Sequence, residues 1–158
     1  MKVKEVMTAS PKACTLTDSL AEAASLMWEN DCGILPVLAE GGKVVGLVTD
    51  RDICMAAVLR GRQPANIAVK DTISGKVFAC RAEDDIRTAL NTMKENKVRR
   101  LPVVEADGSL AGVLSLNDIV LKAEEAKKKE LSYENIVSTY KSICEHRLPI
   151  PTAQAVGV

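Results

Sequence analysis

Residues 48–53 read VTDRDI and residues 114–119 read LSLNDI, and each stretch sets a hydroxyl side chain three places before an aspartate. A glycine stands three places before each hydroxyl, at Gly46 and Gly112. The two stretches are 66 residues apart. Their repetition decides the fold, because it is the centre of a much longer internal match.

The match extends over most of the chain when the sequence is aligned with itself at the same offset. Residues 3–57 then face residues 69–123 without a gap, and about 17 of the 55 aligned positions are identical. These identities are spread over the whole length rather than clustered. The chain is therefore an internal duplication, and its fold must be built from two copies of one unit.

Each copy shows the same order of patterns. A brief apolar stretch precedes a helix whose apolar side chains recur at spacings of 3, 1 and 3 residues, which makes one stripe. Two apolar strands joined by the turn residues EGG or ADG follow, and a second helix begins at the hydroxyl–aspartate stretch. The strands are predicted at 13–16, 34–38 and 44–49 and at 77–80, 100–104 and 110–115, with the first helices opened by Thr17-Asp18 and Glu83-Asp84.

One β-α-β-β-α unit of this size cannot bury both faces of its sheet, so we expect an α+β fold in which the two units pack sheet to sheet. The predicted divisions are repeat 1 at 1–60, a polar linker at 61–68, repeat 2 at 69–125 and a C-terminal helical extension and tail at 126–158. The acids and lysines of 123–130 predict a solvated continuation of the last helix. An amphipathic helix is predicted beyond them, with apolar positions at Tyr133, Ile136, Val137, Tyr140, Ile143 and Cys144.

Composition excludes several classes of function. The chain carries 21 basic and 21 acidic residues, and this balance argues against a broad nucleic-acid or anionic-membrane surface. No stretch resembles a secretory signal or reaches the roughly 20 apolar residues of a membrane span, so we expect a cytoplasmic protein.

Five cysteines without a C-x-x-C pair and a single histidine predict buried thiols rather than a metal site. No catalytic constellation is present, and we expect no enzyme activity.

The hydroxyl–aspartate stretches have two interpretations. Thr49 and Asp52 resemble a capping box, in which the hydroxyl caps the helix and the acid returns a hydrogen bond, stabilising by roughly 1 kcal/mol. Alternatively, the start of a helix binds phosphate, and a carboxylate there can accept hydrogen bonds from ribose hydroxyls. Both copies use Asp where the usual box has Glu or Gln, and both lie where a strand passes into a helix. These features favour a ribose-phosphate ligand.

The doubled pattern G-x-x-[ST]-x-x-D after an apolar strand, with LPV upstream at 35–37 and 101–103, resembles the cystathionine-β-synthase (CBS) domain pair, also called the Bateman module. The resemblance covers about residues 1–125. It implies a disc with pseudo-two-fold symmetry and two clefts, which in this family commonly bind AMP, ADP, ATP, NAD or S-adenosylmethionine. It also implies a regulatory protein, here without an attached enzyme and acting through an unidentified protein target.

The resemblance assigns residues to each cleft. The first would combine Thr49 and Asp52 with Val77 and Phe78 around the base and Lys70, Arg99 and Arg100 near the phosphates. The second would combine Ser115 and Asp118 with Met7, Lys12, Gly33 and Ile34. Arg51 and Asn117 follow the two hydroxyls on the first helical turn, where each either contacts a phosphate or is solvated on the helix surface.

The two clefts differ in charge. Arg99 and Arg100 are suited to phosphate, whereas the matching Gly33 and Ile34 carry no cation. We therefore expect the first cleft to bind a phosphorylated adenosine ligand and the second to bind more weakly, to bind a neutral ligand or to stay empty. Trp28 lies outside the apolar stripe and predicts a homodimer contact. The alternative function is a ligand-free structural or oligomerisation module that acts through protein partners.

Overall fold

The structure is a computed structural model that describes residues 1–73, 76–123 and 133–145. It contains six strands and five α-helices in these residues. In chain order they are β1 (Thr8–Ala9), β2 (Cys14–Thr15), α1 (Leu20–Glu29), β3 (Ile34–Leu38), β4 (Val44–Thr49), α2 (Asp50–Arg60), α3 (Ile86–Asn96), β5 (Arg100–Val104), β6 (Leu110–Ser115), α4 (Leu116–Ala123) and α5 (Tyr133–Cys144).

Two antiparallel hairpins, β3–β4 and β5–β6, form the centres of two three-stranded sheets. Their four strands have the bounds predicted from the sequence, because short apolar runs bounded by glycine-containing turns mark them locally. Both hairpins carry an irregularity at the same place, between Val37 and Leu38 and between Val103 and Val104. The duplication predicted from the sequence is therefore confirmed as two copies of one α+β unit.

The third strand of each sheet does not follow the repeats as the sequence suggests. β2 pairs parallel with β3, so the first sheet has the order β2-β3-β4. The second sheet has the order β1-β6-β5, in which β1 comes from the start of the chain. The predicted strand at 77–80 is reduced to an isolated bridge between Cys80 and Val103, which is parallel like the pairing of Cys14 with Val37 in the first repeat.

The first helices begin slightly later than predicted, and their caps are different residues. Ser19 accepts a hydrogen bond from the backbone N–H of Glu22 and forms a complete capping box with it. Asp85 caps α3 by accepting a hydrogen bond from the backbone N–H of Arg87. Asp18, which the sequence placed at the start of α1, does not cap this helix. Its carboxylate accepts hydrogen bonds from Thr15 in the turn before α1.

The entry segments of the two repeats are exchanged between the two hydrophobic cores. Val3 and Val6 are buried in the core of the second repeat, whereas Ile67 and Val69 are buried in the core of the first. Equivalent backbone hydrogen bonds fix both segments: the N–H of Leu20 donates to Ile67 at 2.9 Å, and that of Ile86 donates to Met1 at 3.0 Å. The predicted linker 61–68 thus contains a core residue, Ile67, and the cores do not follow the repeat boundaries.

Two glycines make this exchange sterically feasible. A Cβ at Gly46 would stand 2.6 Å from the Ile73 side chain, and a Cβ at Gly112 would stand 2.8 Å from the Met7 sulfur. Ile73 and Met7 occupy matching places in the two repeats, so each crossing segment lies directly over a glycine of the strand beneath it. The glycine that opens each repeated motif is therefore a packing requirement.

The two hairpins meet at a pseudo-two-fold axis. Lys43 and Ser109, which are equivalent in the repeats, form a backbone bridge, and the N–H of Val44 donates to the carbonyl of Gly108 at 3.1 Å. The pseudo-symmetry expected from the resemblance is thus present in the arrangement of the sheets.

The helix α5 breaks this symmetry, because it packs on α3 of the second repeat and has no equivalent in the first. Ile136 and Thr139 are buried in the contact, whereas Tyr133, Val137 and Tyr140 of the predicted apolar set are exposed. The predicted continuation at 123–130 falls, beyond Ala123, outside the described residues. So does the tail from residue 146. No helix in the described part of the chain combines the length and apolar character needed to cross a bilayer.

Candidate functional site

The hydroxyl–aspartate stretches form complete capping boxes at the starts of α2 and α4. The hydroxyl of Thr49 donates to Asp52 Oδ2 at 2.7 Å, its backbone N–H donates to the same oxygen at 2.9 Å, and the N–H of Asp52 donates back to the hydroxyl at 3.2 Å. Ser115 and Asp118 repeat the three bonds at 2.7, 2.9 and 3.1 Å. The capping interpretation therefore holds in both repeats of this structure.

In each box, one oxygen of the aspartate carboxylate accepts no hydrogen bond from the described residues. Both bonds to each aspartate end on Oδ2, and no donor among the described residues reaches Oδ1 of Asp52 or Asp118. The single proton of Thr49 is already donated to Asp52, so this hydroxyl can accept but cannot donate to a phosphate while the box is closed. Each half-buried helix start thus offers one carboxylate oxygen to a ligand hydroxyl.

The side chains of Asp50 and Arg100 both approach Gly33, the residue that precedes β3. A Cβ built on Gly33 would stand 2.8 Å from Asp50 Oδ2 and 3.6 Å from an Arg100 guanidinium nitrogen. Any side chain at position 33 would displace the Asp50 carboxylate. Gly33 therefore leaves open a small gap that the side chains of Asp50 and Arg100 both approach.

Arg100 carries a half-buried cation at this gap. Burial lowers the pKa of its guanidinium from the usual value, and the neighbouring charge of Arg99 lowers it further, while Asp50, Cys32 and Asp118 act in the opposite direction. No hydrogen bond or ion pair involves this guanidinium within residues 1–73, 76–123 and 133–145. A partly desolvated guanidinium without a paired anion is suited to bind an anionic ligand.

Arg100 also connects the two predicted clefts. The sequence assigned Arg100 to the first cleft and Gly33 and Asp118 to the second, yet its guanidinium contacts the space beside Gly33 and interacts electrostatically with Asp118. The reason is that the Arg100 side chain extends from the start of β5 to Gly33, the residue before β3. Asp50 was missed by sequence reasoning, although its replacement by Leu116 in the second copy marks a difference in charge between the helix starts.

The remaining predicted residues lie around the helix starts in varied environments. Exposed side chains are found at Lys12, Arg51, Lys70, Arg99 and Asn117, and half-buried ones at Met7, Ile34, Val77 and Phe78. Phe78 packs against the second core, and the ammonium of Lys76 lies 4.8 Å from the centre of its ring. Within the described residues, the side chains of Lys12, Lys70 and Arg99 make no hydrogen bond or ion pair. These three cations are therefore available to a bound anion.

The buried thiols are structural. Burial raises the pKa of Cys14 to about 11 and that of Cys80 to about 12, so both stay protonated at neutral pH. They occupy equivalent places in the two cores. The described residues contain no cluster of three or more potential metal ligands among His, Cys, Asp and Glu, and His146 lies outside them.

The duplicated unit, the exchanged entry segments and the paired helix-start boxes define a tandem α+β module with two pseudo-equivalent sites. The sequence profile of the CBS domain matches residues 3–59 and again residues 69–125. The chain belongs to the CBS domain family.

Known proteins of similar length and fold support this assignment. The chain is 33% identical over 127 residues to the uncharacterized protein YlbB of Bacillus subtilis, covering 78% of this chain and 82% of that protein. It is 28% identical to hypoxic response protein 1 of Mycobacterium tuberculosis, covering 89% and 92%. The crystal structure of CBSX2 in complex with AMP superposes with a TM-score of 0.72 at 26% identity, covering 80% of this chain and 99% of that one.

Proposed function

We propose that the protein is a regulatory module that binds a phosphorylated adenosine ligand, AMP, ADP or ATP, in the cleft beside Thr49, Asp52 and Arg100. NAD and S-adenosylmethionine are the next candidates. The module is not an enzyme, and it transmits ligand occupancy to a protein target as a homodimer. Five free cysteines are consistent with a reducing, cytoplasmic location.

The observation that carries the proposal is the half-buried guanidinium of Arg100. Desolvating a cation costs free energy, and an anionic ligand that forms charge-assisted hydrogen bonds with it recovers that cost. Within the described part of the chain no carboxylate forms an ion pair with it, although Asp50 lies nearby. A phosphate group supplies the missing partner, and the exposed side chains of Arg99 and Lys70 add to the positive field.

The helix start would hold the sugar. Oδ1 of Asp52 is the acceptor left open by the capping box, so a ribose hydroxyl can donate to it without breaking the box. The hydroxyl of Thr49 would accept rather than donate in this state, so the phosphate contacts would come from Arg100, Arg99 and Lys70. Val77 and Phe78 offer apolar surface for the base, and the exposed Arg51 stands beside the box on the first turn of α2.

The second cleft would repeat the sugar contact through Ser115, Asp118 and Asn117. Its remaining residues, Met7, Lys12, Gly33 and Ile34, include one exposed lysine. The nearest guanidinium is again that of Arg100. One cation cannot bind two phosphates equally, so we expect one strong and one weak site per chain.

A thermal-shift screen tests the proposal. The ligands are AMP, ATP, NAD, S-adenosylmethionine and adenosine, the last as the matched control without a phosphate. A ligand at 100 times its dissociation constant stabilises the folded chain by roughly 2.7 kcal/mol. We expect AMP or ATP to raise the melting temperature and adenosine to do so only at much higher concentration. Equal shifts of the melting temperature by AMP and adenosine would contradict the proposal that Arg100 binds the phosphate.

A structural or oligomerisation module without a ligand is the second candidate. It is favoured by the exposed apolar side chains on α1, α2 and α5. This alternative predicts no shift from any ligand of the screen, together with a defined oligomer in solution. Nucleic-acid binding would instead show a steep dependence on salt concentration, and the balanced charge argues against it.

A further inference from the structure

Asp50, the first residue of α2, carries an exposed carboxylate that lies near the Arg100 guanidinium without binding it. Its Oδ2 and an Arg100 nitrogen lie 2.8 Å and 3.6 Å from the same point, which is the position of a Cβ on Gly33. These distances limit the separation of the two charged atoms to about 6.4 Å, yet the two side chains form no ion pair within the described residues. Arg100 therefore has an anion within electrostatic range but not in contact.

The two repeats differ in charge at this place although their backbones match. The N–H of Asp50 donates to the carbonyl before β3 at 3.3 Å, and the N–H of its counterpart Leu116 donates to the carbonyl before β5 at 2.9 Å. The residue that matches Arg100 is Ile34, which is also uncharged. The acid and the cation thus occur together, beside the cleft that we assign to the phosphate, and the matching place has neither.

Helix stability does not account for the charge of Asp50. The capping box of Thr49 and Asp52 already completes the helix start, and Asp52 supplies an acid to the first turn. Oδ1 of Asp50 accepts a hydrogen bond from the backbone N–H of Arg51 at 2.7 Å, and an asparagine oxygen accepts such a bond as well. What asparagine lacks is the negative charge near Arg100.

We propose that Asp50 is a specificity-determining residue that biases the Arg100 site toward AMP and against the more highly charged ADP and ATP. The inference rests on the proposed function, because it concerns the phosphate that Arg100 binds. A phosphate oxygen held by the guanidinium lies about 2.8 Å from one of its nitrogens, and hence within roughly 10 Å of the Asp50 carboxylate. Asp50 repels this anion, and the repulsion grows with the charge of the ligand.

The size of the effect follows from Coulomb's law. In water, two unit charges about 10 Å apart change an affinity by about twofold, and closer approach strengthens the effect. At pH 8 AMP carries about two negative charges and ATP about four. Removal of the Asp50 charge should therefore tighten AMP binding by about fourfold and ATP binding by more than tenfold at low salt. The affinity for adenosine, which is uncharged, should not change.

Calorimetric titration of the full chain tests the inference. Asp50→Asn is compared with wild type for adenosine, AMP, ADP and ATP in EDTA, at ionic strengths of about 0.01 M and about 0.15 M. Asp31→Asn is the matched control, because Asp31 is an exposed acid in the lining of the same surface pocket and is not among the groups whose charge affects Arg100. Asp50→Glu keeps the charge. Thermal melts confirm folding, and Asp50→Ser replaces Asp50→Asn if that variant does not fold.

We expect Asp50→Asn to tighten ATP more than AMP, with gains that shrink by more than half at the higher salt concentration. Asp31→Asn and Asp50→Glu should keep the wild-type ratio of AMP to ATP affinity. Equal gains for all four ligands, gains that salt does not reduce, or unchanged affinities would overturn the inference and leave the proposed function in place. If neither wild type nor Asp50→Asn binds any nucleotide, the proposed function fails together with the inference.

Discussion

Replacement of Arg100 by methionine should weaken AMP binding and at the same time stabilise the ligand-free protein. Methionine keeps most of the apolar stem and removes the cation, which has no hydrogen bond or ion pair with the described residues. In the ligand-free protein the guanidinium is half-buried, and burial lowers its pKa, so its charge is partly desolvated without compensation. The same charge is the main group that we assign to the phosphate of the ligand.

The two effects of Arg100→Met have opposite signs. A charge-assisted hydrogen bond contributes about 1.5–3 kcal/mol, so the variant should bind AMP about 10- to 150-fold more weakly. The ligand-free variant should gain about 1 kcal/mol, the low end of the range for replacing buried ionic groups, because Arg100 is only half-buried. For a chain of this size that gain raises the melting temperature by about 3 °C.

Calorimetric titration with AMP and adenosine measures the first effect, and thermal unfolding without ligand measures the second. The exposed neighbour Arg99 supplies the control, and Arg99→Met should change stability by less than about 0.5 kcal/mol. Adenosine should bind Arg100→Met and wild type equally. Wild-type affinity for AMP in the Arg100→Met variant, or a lower stability of that variant without ligand, would refute the reasoning.

Three further perturbations test the sites and the cores. Asp52→Ala and Asp118→Ala each remove one capping box, and each should lower the free energy of unfolding by about 1 kcal/mol. Only Asp52→Ala should strongly weaken AMP binding. Equal losses of AMP affinity in the two variants would contradict the asymmetry of the clefts. Gly46→Ala places a Cβ 2.6 Å from the Ile73 side chain of the crossing segment and should lower the free energy of unfolding by about 1–3 kcal/mol. Chemical denaturation measures this change. An unchanged denaturation midpoint would refute the packing role of Gly46. With a thiol reagent at pH 8, the exposed Cys54 and Cys144 should react first. Cys80, whose pKa burial raises to about 12, should react only on unfolding, so rapid labelling of Cys80 in mapped peptides would contradict its burial.

The hairpins and the helix stripes could be predicted from the sequence because their signals are local. Short apolar runs and the glycine-containing turns that follow them place Ile34–Leu38 and Arg100–Val104 correctly. The exchange of entry segments could not be predicted in this way. Val3 and Val69 are equivalent in sequence, and either could pack in its own unit or in the other. The glycines under Ile73 and Met7 permit the exchange, but the sequence alone does not show that these side chains approach them.

The candidate site, too, could be predicted from the sequence only where its signals are local. The hydroxyl–aspartate pairs are local and were found from the repeat, and the structure adds that each pair closes a box through a single carboxylate oxygen. Arg100 was found, but its position between the clefts was not. The contact with Gly33 and Asp50 joins residues from different repeats across the pseudo-two-fold axis, and a comparison of one copy with the other contains no information on that distance.

A crystal structure of the protein grown with AMP tests the central claim most directly. The account predicts that a ribose hydroxyl donates to Asp52 Oδ1 while the Thr49 box stays closed, and that the phosphate contacts the Arg100 guanidinium. A nucleotide bound elsewhere, with Asp52 bonded only to its own helix start, would contradict it.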